Sequence, residues 1–443
     1  MTWLLNGVYL LLLLAISPWL VYQSLRTGKY RRGLWSRFWG LAPRRGGSRP
    51  CVLLHAVSVG EVNLLATLIR GLEEARPDLE IVISTTTATG YELARKKYAP
   101  RMVIRSPLDF SWAVNRTLSR LRPDAVILAE LELWPNLIAI ARRRGLPVAI
   151  VNGRLSANSF RGYRRIRPLM ARVLRQIELI AVQSPTYAER FLALGAPPEC
   201  VHTTGSLKFD GAITERSPAK RAEFAELAGI EADDVVFLAG STQAPEEELA
   251  IAAYRELAAE FPALRLIVVP RHAERFDTVA ALLESSGLPW QRRSQLNGAA
   301  QPAKQEAGKP RPILLVDTIG ELSHWWGLAQ IGYVGGSMGT RGGQNMIEPA
   351  ACGVAVCFGP RTENFRDVVA LLLEREAAKV VHEGEELRSF LRDCLANPAL
   401  RDEYGKRAEE LVAAQRGATL ATCNLLLPLL PPAGKPTTQT RAA

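Results

Sequence analysis

The chain has 443 residues, of which 48% are hydrophobic and 22% charged, and a formal net charge of +11. This length is too great for one hydrophobic core and predicts two domains. Eight of the positive charges lie between residues 26 and 49, so removing them from +11 leaves +3 for residues 50–443. That balance excludes a general nucleic-acid-binding body.

The first predicted element is an apolar helix. From Met1 to Leu25 the chain is uncharged and mostly apolar, and about 20 such residues suffice to cross a bilayer as a helix. A cleaved signal peptide would carry basic residues before the apolar run and small residues at a cleavage site, and neither is present. We therefore expect residues 1–25 to form a transmembrane anchor.

Residues 26–49 form a basic segment with no acidic residue, since the first carboxylate of the chain is Glu61. Its charges are Arg26, Lys29, Arg31, Arg32, Arg37, Arg44, Arg45 and Arg49. The positive-inside rule keeps this side cytoplasmic. Trp35, Phe38 and Trp39 among the charges favour contact with an anionic membrane surface. A nucleic-acid-binding arm is the competing interpretation.

Beyond residue 50, short β-branched runs alternate with segments of helical period, which predicts an α/β protein with parallel sheets. The first half contains CVLLHA, EIVIST, DAVILAE, PVAIVNG and LIAVQS, and the pattern restarts with VVFLAGS. We expect two doubly wound Rossmann-like domains, residues 50–207 and 208–430, that face a ligand-binding cleft. Residues 431–443 are expected to be disordered.

Six scattered cysteines form no CxxC pair and have no histidine at zinc-ligand spacing. They indicate reduced thiols on a cytosolic face rather than a metal site. No Asp-x-Asp pair follows a strand, so we expect no metal site. We also expect no other cofactor.

HAVSVGE places Glu61 at the end of the first strand, before the helix-like VNLLATLIRGLEEA. A carboxylate there either stabilises the positive end of the helix dipole or acts as a general base on a hydroxyl. Ser58 and Gly60 are candidate supporting residues, because glycine permits close backbone approach by a ligand. Glu130 and Glu132 of AELELWPNL end another strand and are candidates for a supporting role in the site, with helix capping or salt bridging as the alternative.

A basic amphipathic helix is predicted within residues 154–177, where apolar residues repeat at three-and-four spacing beside arginines that include Arg164 and Arg165. These arginines are candidates for acceptor binding, and a solvated charged face is the alternative.

Glycine-rich turns in the second half are candidate phosphate-binding loops. The alternative is that they only connect strands to helices. They comprise Gly240, Ser241 and Thr242, and then Gly335, Gly336 and Ser337. Neither a P-loop nor a GxGxxG fingerprint is present.

The chain resembles the 3-deoxy-D-manno-octulosonic acid (Kdo) transferases of lipopolysaccharide synthesis, which are membrane-anchored GT-B glycosyltransferases. The resemblance runs to about residue 425. It rests on HAVSVGE, STTTATG, PLDF, ELELWPN, NGRLS, GSLKFD, GSTQAPEE, PRHAERF, DTIGEL, VGGS, GGQNMIEP and GPRTENF, in this order.

The resemblance implies inverting transfer of Kdo from CMP-Kdo to the 6'-hydroxyl of a lipid A precursor, with Glu61 as general base and no metal. It implies CMP binding by Pro270, Arg271, Ile319, Gly320, Glu321, Asn345, Met346, Ile347 and Glu348. It also implies catalytic domains on the cytoplasmic face of the bacterial inner membrane and no nucleic-acid partner.

The sequence departs from the family where Gln243 and Gln344 stand in place of histidine, Leu131 in place of threonine, and Ala273 in place of proline. These changes put charged contacts at two loops in doubt. Two alternatives stay open: another membrane-associated GT-B nucleotide-sugar transferase, and a catalytically silent membrane-anchored nucleotide-binding protein.

Overall fold

The computed structural model describes residues 2–27, 33–212, 218–296 and 310–433. The chain divides into two compact units, Met1–Gly211 with Arg416–Ala443, and Ala212–Gln415. Each unit contains one seven-stranded sheet. All neighbouring strands are parallel, which confirms the predicted doubly wound α/β class.

The sheet of the first unit has the order β3-β2-β1-β4-β5-β6-β7. Its strands are β1 (Cys51–Ala56), β2 (Glu80–Thr85), β3 (Val103–Arg105), β4 (Ala125–Ala129), β5 (Val148–Gly153), β6 (Leu179–Val182) and β7 (Val201–Thr203). Every residue of β1, β4, β5 and β6 is buried, as expected for strands covered on both faces. We call the side of this sheet where the strands end its carboxyl edge.

Helices precede, separate and follow these strands. They are α1 (Thr2–Thr27), α2 (Leu34–Trp39), α3 (Val59–Ala75), α4 (Ala88–Lys97), α5 (Ser111–Leu121), α6 (Pro135–Arg143), α7 (Ala157–Arg164), α8 (Arg167–Leu174), α9 (Pro185–Ala193) and α10 (Leu207–Asp210). Within α1, the segment Thr2–Trp19 is long and apolar enough to cross a membrane. Residues 28–32 of the predicted membrane-proximal segment lie outside the described residues.

The single helix predicted within residues 154–177 is wrong, because the chain forms α7 and α8 with a turn at Arg165 and Ile166 between them. Pro168 lies in the first turn of α8, where its missing N–H costs nothing, whereas within a continuous helix it would remove a hydrogen bond. The apolar stripe is only partly available for a ligand, since Met170 and Val173 are buried.

The sheet of the second unit has the order β10-β11-β9-β8-β12-β13-β14. Its strands are β8 (Val235–Thr242), β9 (Leu264–Pro270), β10 (Trp290–Arg292), β11 (Ile313–Leu315), β12 (Ile331–Val334), β13 (Ala355–Phe358) and β14 (Ala378–Val380). Its helices are α11 (Pro218–Ala228), α12 (Glu246–Leu257), α13 (Phe276–Ser286), α14 (Leu322–Trp326), α15 (Ile347–Ala351), α16 (Arg366–Glu374), α17 (Gly384–Ala396) and α18 (Pro398–Ala414). Short 3-10 turns occur at Pro198–Cys200, Ala273–Arg275, Arg293–Gln295, Glu363–Phe365 and Leu427–Leu429.

The last helix, α19 (Ala418–Leu426), packs on the first unit, so the predicted second domain of residues 208–430 extends too far at its end. Its start is held by Asp210, whose carboxylate accepts the N–H groups of Gly417 (2.8 Å) and Thr419 (2.5 Å). Cys423 and Leu426 then complete a core that includes β1 and α3. Composition does not predict that the end of the chain packs on the first unit, because this depends on which of the two cores has apolar residues left exposed. Of the predicted disordered tail, residues 434–443 lie outside the described residues.

Candidate active site

Glu61 lies in the first turn of α3, just beyond the end of β1, and is 8% exposed. Its Oε1 accepts the Ser58 hydroxyl at 2.8 Å, and its Oε2 accepts the Val57 N–H at 2.8 Å. Ser58 Oγ in turn accepts the Glu61 N–H at 3.4 Å. This is the capping box that an S-x-x-E pattern produces, so Glu61 is fixed in position by the helix that it begins.

Gly60 is exposed, and a Cβ built on it would meet only Ser58 Oγ, at 3.8 Å. The backbone therefore does not require glycine at this position. The open space beside Gly60 leaves room for a ligand next to Glu61.

Three carboxylates gather at this part of the carboxyl edge. Glu130 and Glu132 follow β4, the neighbour of β1 in the sheet. Glu130 has left-handed backbone (φ 56°) and donates its N–H to Val151 O at 2.9 Å. The structure thus brings together Glu61, Glu130 and Glu132, as their positions at strand ends predict.

The electrostatics of the cluster follow from burial and like charge. Burial raises the pKa of Glu61, and the charge of Glu130 adds to the rise, while hydrogen bonds from Val57 and Ser58 oppose it. Burial and the charge of Glu61 raise the pKa of Glu132 to about 7. A carboxyl group with a pKa near neutrality is suited to exchange protons at physiological pH.

Two further side chains reach this cluster. Lys208 Nζ lies 3.8 Å from Glu130 Oε1. Burial raises the pKa of Tyr163, and the charge of Glu132 adds to the rise, which places the end of α7 beside the carboxylates. Lys208 stands in the GSLKFD motif but was not among the predicted site residues.

Arg164 and Arg165 directly follow Tyr163 and are exposed. Within the described parts of the chain neither forms an ion pair. Their side chains therefore stand in solvent, one and two residues after the tyrosine that meets the carboxylate cluster, and are available to an anionic ligand.

In the second unit, β9 ends at Pro270 and Arg271 follows it. Arg271 donates its N–H to Thr242 O at 3.0 Å, and its Nε donates to Gln344 Oε1 at 3.1 Å. Its side chain is exposed. An available guanidinium at a strand end is suited to bind phosphate.

Asn345 and Glu348 lie close to Arg271. Asn345 Nδ2 donates to Glu348 Oε1 at 2.9 Å, and the Ile347 N–H donates to Asn345 Oδ1 at 3.1 Å. Burial raises the pKa of Glu348, whereas the hydrogen bond from Asn345 and the charge of Arg271 oppose the rise. Met346 and Ile347 are buried, so their side chains support the loop rather than face a ligand.

Ile319, Gly320 and Glu321 lie after β11, which pairs with β9. Ile319 is 83% exposed, and Gly320 has a φ of 95°, which favours glycine. Glu321 is occupied, because it accepts Arg293 Nε (3.0 Å), Arg293 Nη2 (2.9 Å) and the Thr318 hydroxyl (2.8 Å). Glu321 therefore shapes this loop.

The predicted phosphate cradle at Gly335, Gly336 and Ser337 is wrong, because the carboxylate of Glu246 already occupies it. The N–H groups of Gly336 (2.7 Å), Ser337 (2.8 Å) and Met338 (2.9 Å) all donate to Glu246. Glu246 is 1% exposed. The glycine-rich sequence predicts that backbone N–H groups cluster in this loop. It does not reveal that their acceptor is a carboxylate of α12.

The other glycine-rich turn owes its composition to packing. A Cβ on Gly240 would lie 2.4 Å from the ring of Trp326, and one on Gly335 would lie 2.5 Å from Ser241 O. Ser241 has left-handed backbone (φ 56°) and Thr242 is fully buried. These contacts explain the glycines without a phosphate, and a phosphate role for Ser241 and Thr242 stays a prediction.

Gln243 and Gln344 both lie beside Gly336, since a Cβ there would be 3.1 Å from Gln344 Nε2 and 3.6 Å from Gln243 Nε2. As to metals, residues 2–27, 33–212, 218–296 and 310–433 contain no group of three His, Cys, Asp or Glu side chains that could hold an ion.

The chain is similar in sequence to one family over most of its length. Residues 31–211 match the family model described as 3-Deoxy-D-manno-octulosonic-acid transferase (kdotransferase). The chain is 32% identical to the 3-deoxy-D-manno-octulosonic acid transferase of Haemophilus influenzae, over 92% of this chain and 93% of that protein. It is 33% identical to the transferase of the same name from Bordetella pertussis, over 95% and 98%.

Solved structures share the fold at low sequence identity. UDP-GlcNAc 2-epimerase from Neisseria meningitidis, bound to UDP-GlcNAc, gives a TM-score of 0.56 at 14% identity and covers 85% of this chain and 99% of its own. MnaA from S. aureus, in a co-structure with UDP, gives 0.54 at 14% identity, over 88% and 100%.

Proposed function

Because the chain belongs to the 3-deoxy-D-manno-octulosonic acid (Kdo) transferase family, we propose that it moves Kdo from CMP-Kdo to the 6'-hydroxyl of a lipid A precursor in lipopolysaccharide synthesis. The proposed transfer inverts the anomeric configuration and uses Glu61 as general base. Donor binding falls to the second unit and acceptor binding to the first.

The observation that carries this proposal is the position of Glu61. Its carboxylate lies at the carboxyl edge, where ligands of doubly wound sheets bind, and burial raises its pKa. A raised pKa makes a carboxylate a stronger base while it remains ionised above that pKa. Each oxygen accepts one hydrogen bond, from Ser58 or Val57, and a carboxylate offers further lone pairs. Glu61 therefore keeps capacity to accept a proton.

In the proposed reaction, the acceptor hydroxyl oxygen bonds to the anomeric carbon of Kdo while its proton passes to Glu61. The bond between that carbon and the phosphate oxygen of CMP breaks, and the electron pair leaves with CMP. Negative charge then grows on the departing phosphate. Arg271 is suited to stabilise it, because its exposed guanidinium keeps Nη donors free of the Gln344 contact.

The other donor contacts are assigned by chemistry. Glu348 carries carboxylate oxygens that accept hydrogen bonds, and Asn345 orients them, so the pair suits the ribose hydroxyls of CMP. Ile319 and Gly320 present an exposed loop beside β9, and we assign it to CMP as well. No step is assigned to a metal, since CMP leaves with a single phosphate group that one guanidinium can pair.

The acceptor is a glycolipid with phosphate groups, so its binding site needs cations and a nearby membrane. Arg164 and Arg165 supply exposed charge directly after Tyr163, and residues 26–49 supply further arginines and aromatic rings. We assign the protein to the cytoplasmic face of the bacterial inner membrane for this reason.

Mass spectrometry of the products tests the proposal. Purified protein with CMP-Kdo and a tetraacylated lipid A precursor should give the precursor with Kdo added, together with CMP. Another nucleotide-sugar transferase would leave this mixture unchanged but turn over a different donor. A silent nucleotide-binding protein would bind CMP and turn over no donor.

A further inference from the structure

The apolar helix α1 is attached to the first unit close to its own beginning. Asn6 is 3% exposed, and its Nδ2 donates to Ser111 Oγ at 2.7 Å. Asn6 Oδ1 accepts the N–H of Ser111 at 3.0 Å and Asn136 Nδ2 at 3.1 Å. One turn later, the Tyr9 hydroxyl donates to Asp109 Oδ2 at 3.2 Å. These bonds fix the start of the helix at the amino ends of α5 and α6.

The chain that follows α1 returns to the same place. The ring of Phe110 lies 6.0 Å from the ring of Tyr9 and 5.1 Å from the ring of Phe38. Arg37 Nε donates to Ser106 O at 2.8 Å, next to this contact. A residue in the first half of α1 and a residue after its end therefore pack on one patch of the first unit.

This arrangement conflicts with a spanning helix. The apolar segment that could span is Thr2–Trp19, so a spanning helix would hold Asn6 and Tyr9 within a hydrocarbon core about 30 Å thick. Both residues instead bond to Ser111 and Asp109 of the first unit. A helix standing upright from this patch would carry Thr27 about 27 Å away from Tyr9. Because Phe38 again contacts Phe110, the chain after Thr27 would have to recross the hydrocarbon with the charges that the sequence places there, Lys29, Arg31 and Arg32, at a cost of about 3 kcal/mol for each charge.

The composition of the exposed face of α1 indicates which surface it binds. Leu4, Leu11 and Tyr22 are 74%, 69% and 56% exposed, and at 100° per residue they lie within about 20° of one another. They face away from Asn6 and Tyr9. Trp3 and Trp19 are also exposed, and the cationic residues follow the helix. An exposed apolar face with interfacial tryptophans and flanking positive charge fits an anionic bilayer surface.

We propose that α1 does not span the membrane but lies in its plane, embedded by its Leu4–Leu11–Tyr22 face and held to the first unit by Asn6 and Tyr9. Asp109 also accepts the N–H groups of Asn136 and Leu137, at 2.9 Å each. Asn136 follows Glu132 by four residues. On the proposed function, this connection holds the carboxylate cluster at the lipid surface that contains the acceptor.

Nitroxide depth measurements test the orientation directly. Single cysteines replace Leu4, Leu11 and Tyr22 in the full chain, with Cys200→Ser to remove the native thiol that is not buried. The labelled protein is placed in vesicles of phosphatidylethanolamine and phosphatidylglycerol, and collision rates with oxygen and a nickel chelate give each depth. Lys406→Cys, which is exposed, is the aqueous reference.

An in-plane helix gives three depths that agree within about 5 Å, as expected for an interfacial helix. A spanning helix would place Leu4 and Tyr22 near opposite surfaces and Leu11 deepest, and this result would overturn the proposal. Nickel accessibility equal to that at Lys406 for all three labels would overturn it as well. Asn6→Leu should make the depths diverge, whereas Gly7→Leu should not, because a Cβ at Gly7 would meet no atom within 4 Å.

The depth measurement needs no turnover. Equal depths in a protein that fails to transfer Kdo would refute the proposed function and retain the orientation of α1. Unequal depths in a protein that transfers Kdo would refute the in-plane orientation of α1 and retain the proposed function.

Discussion

Ser58 and Glu61 cap α3 reciprocally: the Ser58 hydroxyl donates to Glu61 Oε1 at 2.8 Å, while the Glu61 N–H donates to Ser58 Oγ at 3.4 Å. The hydroxyl holds down the pKa of a carboxyl group that burial raises. The same contact thus serves both helix stability and the proposed chemistry.

Ser58→Ala should therefore have two effects. Loss of the cap should cost about 1 kcal/mol of unfolding free energy. Loss of the donor should raise the pKa of Glu61, so the acidic limb of the kcat/KM profile should move to higher pH. Ser58→Thr, which keeps the hydroxyl, is the control. An unmoved acidic limb in the alanine variant would show that Glu61 does not set it.

Glu132 should make the protein less stable as the pH rises. Its pKa is raised to about 7, so between the ordinary glutamate value and pH 7 the folded state binds more protons than the unfolded state, and stability falls through this window. Glu132→Gln should raise the unfolding free energy by about 1 kcal/mol at pH 8, after allowance for solvent screening, and by little at pH 4.

Denaturant unfolding at both pH values measures this difference. Glu92→Gln in α4, an exposed position, is the control and should show no pH-dependent gain. A Glu132→Gln variant that is less stable than the parent at pH 8 would contradict the like-charge cluster.

The sequence carried enough information to predict this cluster. Buried parallel strands appear as continuous apolar runs, so the ends of β1 and β4, and with them Glu61, Glu130 and Glu132, could be located. The contact of Lys208 with Glu130 could not, because it depends on how α10 packs after β7.

Two other features could not be predicted from sequence patterns, because they depend on contacts between residues that are distant in the chain. Five glycines near residue 340 suggested an anion cradle, but the anion proved to be Glu246, some 90 residues away in sequence. The return of α19 to the first unit likewise depends on a gap in the core over α3. The break between α7 and α8 was within reach of sequence reasoning, since Pro168 marks it.

Arg164→Glu combined with Arg165→Glu should weaken acceptor use and spare CMP affinity. Each cation near an anionic surface contributes about 1 kcal/mol, so the double reversal should also lower vesicle binding in a salt-sensitive way. Sedimentation with anionic vesicles and acceptor kinetics measure the two effects.

The matched control is Arg392→Glu with Lys406→Glu, which changes net charge equally at exposed positions of the second unit. Equal losses of acceptor use and vesicle binding in both double variants would show that only the net charge of the protein matters. No loss in either double variant would show that Arg164 and Arg165 form only a solvated charged face.

Excess chelator should leave turnover intact. The leaving phosphate is a single group that the Arg271 guanidinium can pair, so no divalent ion is needed to bridge it. Initial rates with and without chelator measure this, and a loss that magnesium restores would refute the metal-free proposal.

The most direct test of the account is single-turnover Kdo transfer by Glu61→Gln, with CMP affinity measured by calorimetry on the same preparation. Glutamine keeps the size of the side chain and an acceptor for Ser58 but is not a base. Glu74→Gln, exposed on the same helix, is the control. The account predicts a loss of at least about a hundredfold in the transfer rate, with CMP affinity unchanged and the control fully active. Transfer by Glu61→Gln within tenfold of the parent rate would contradict it.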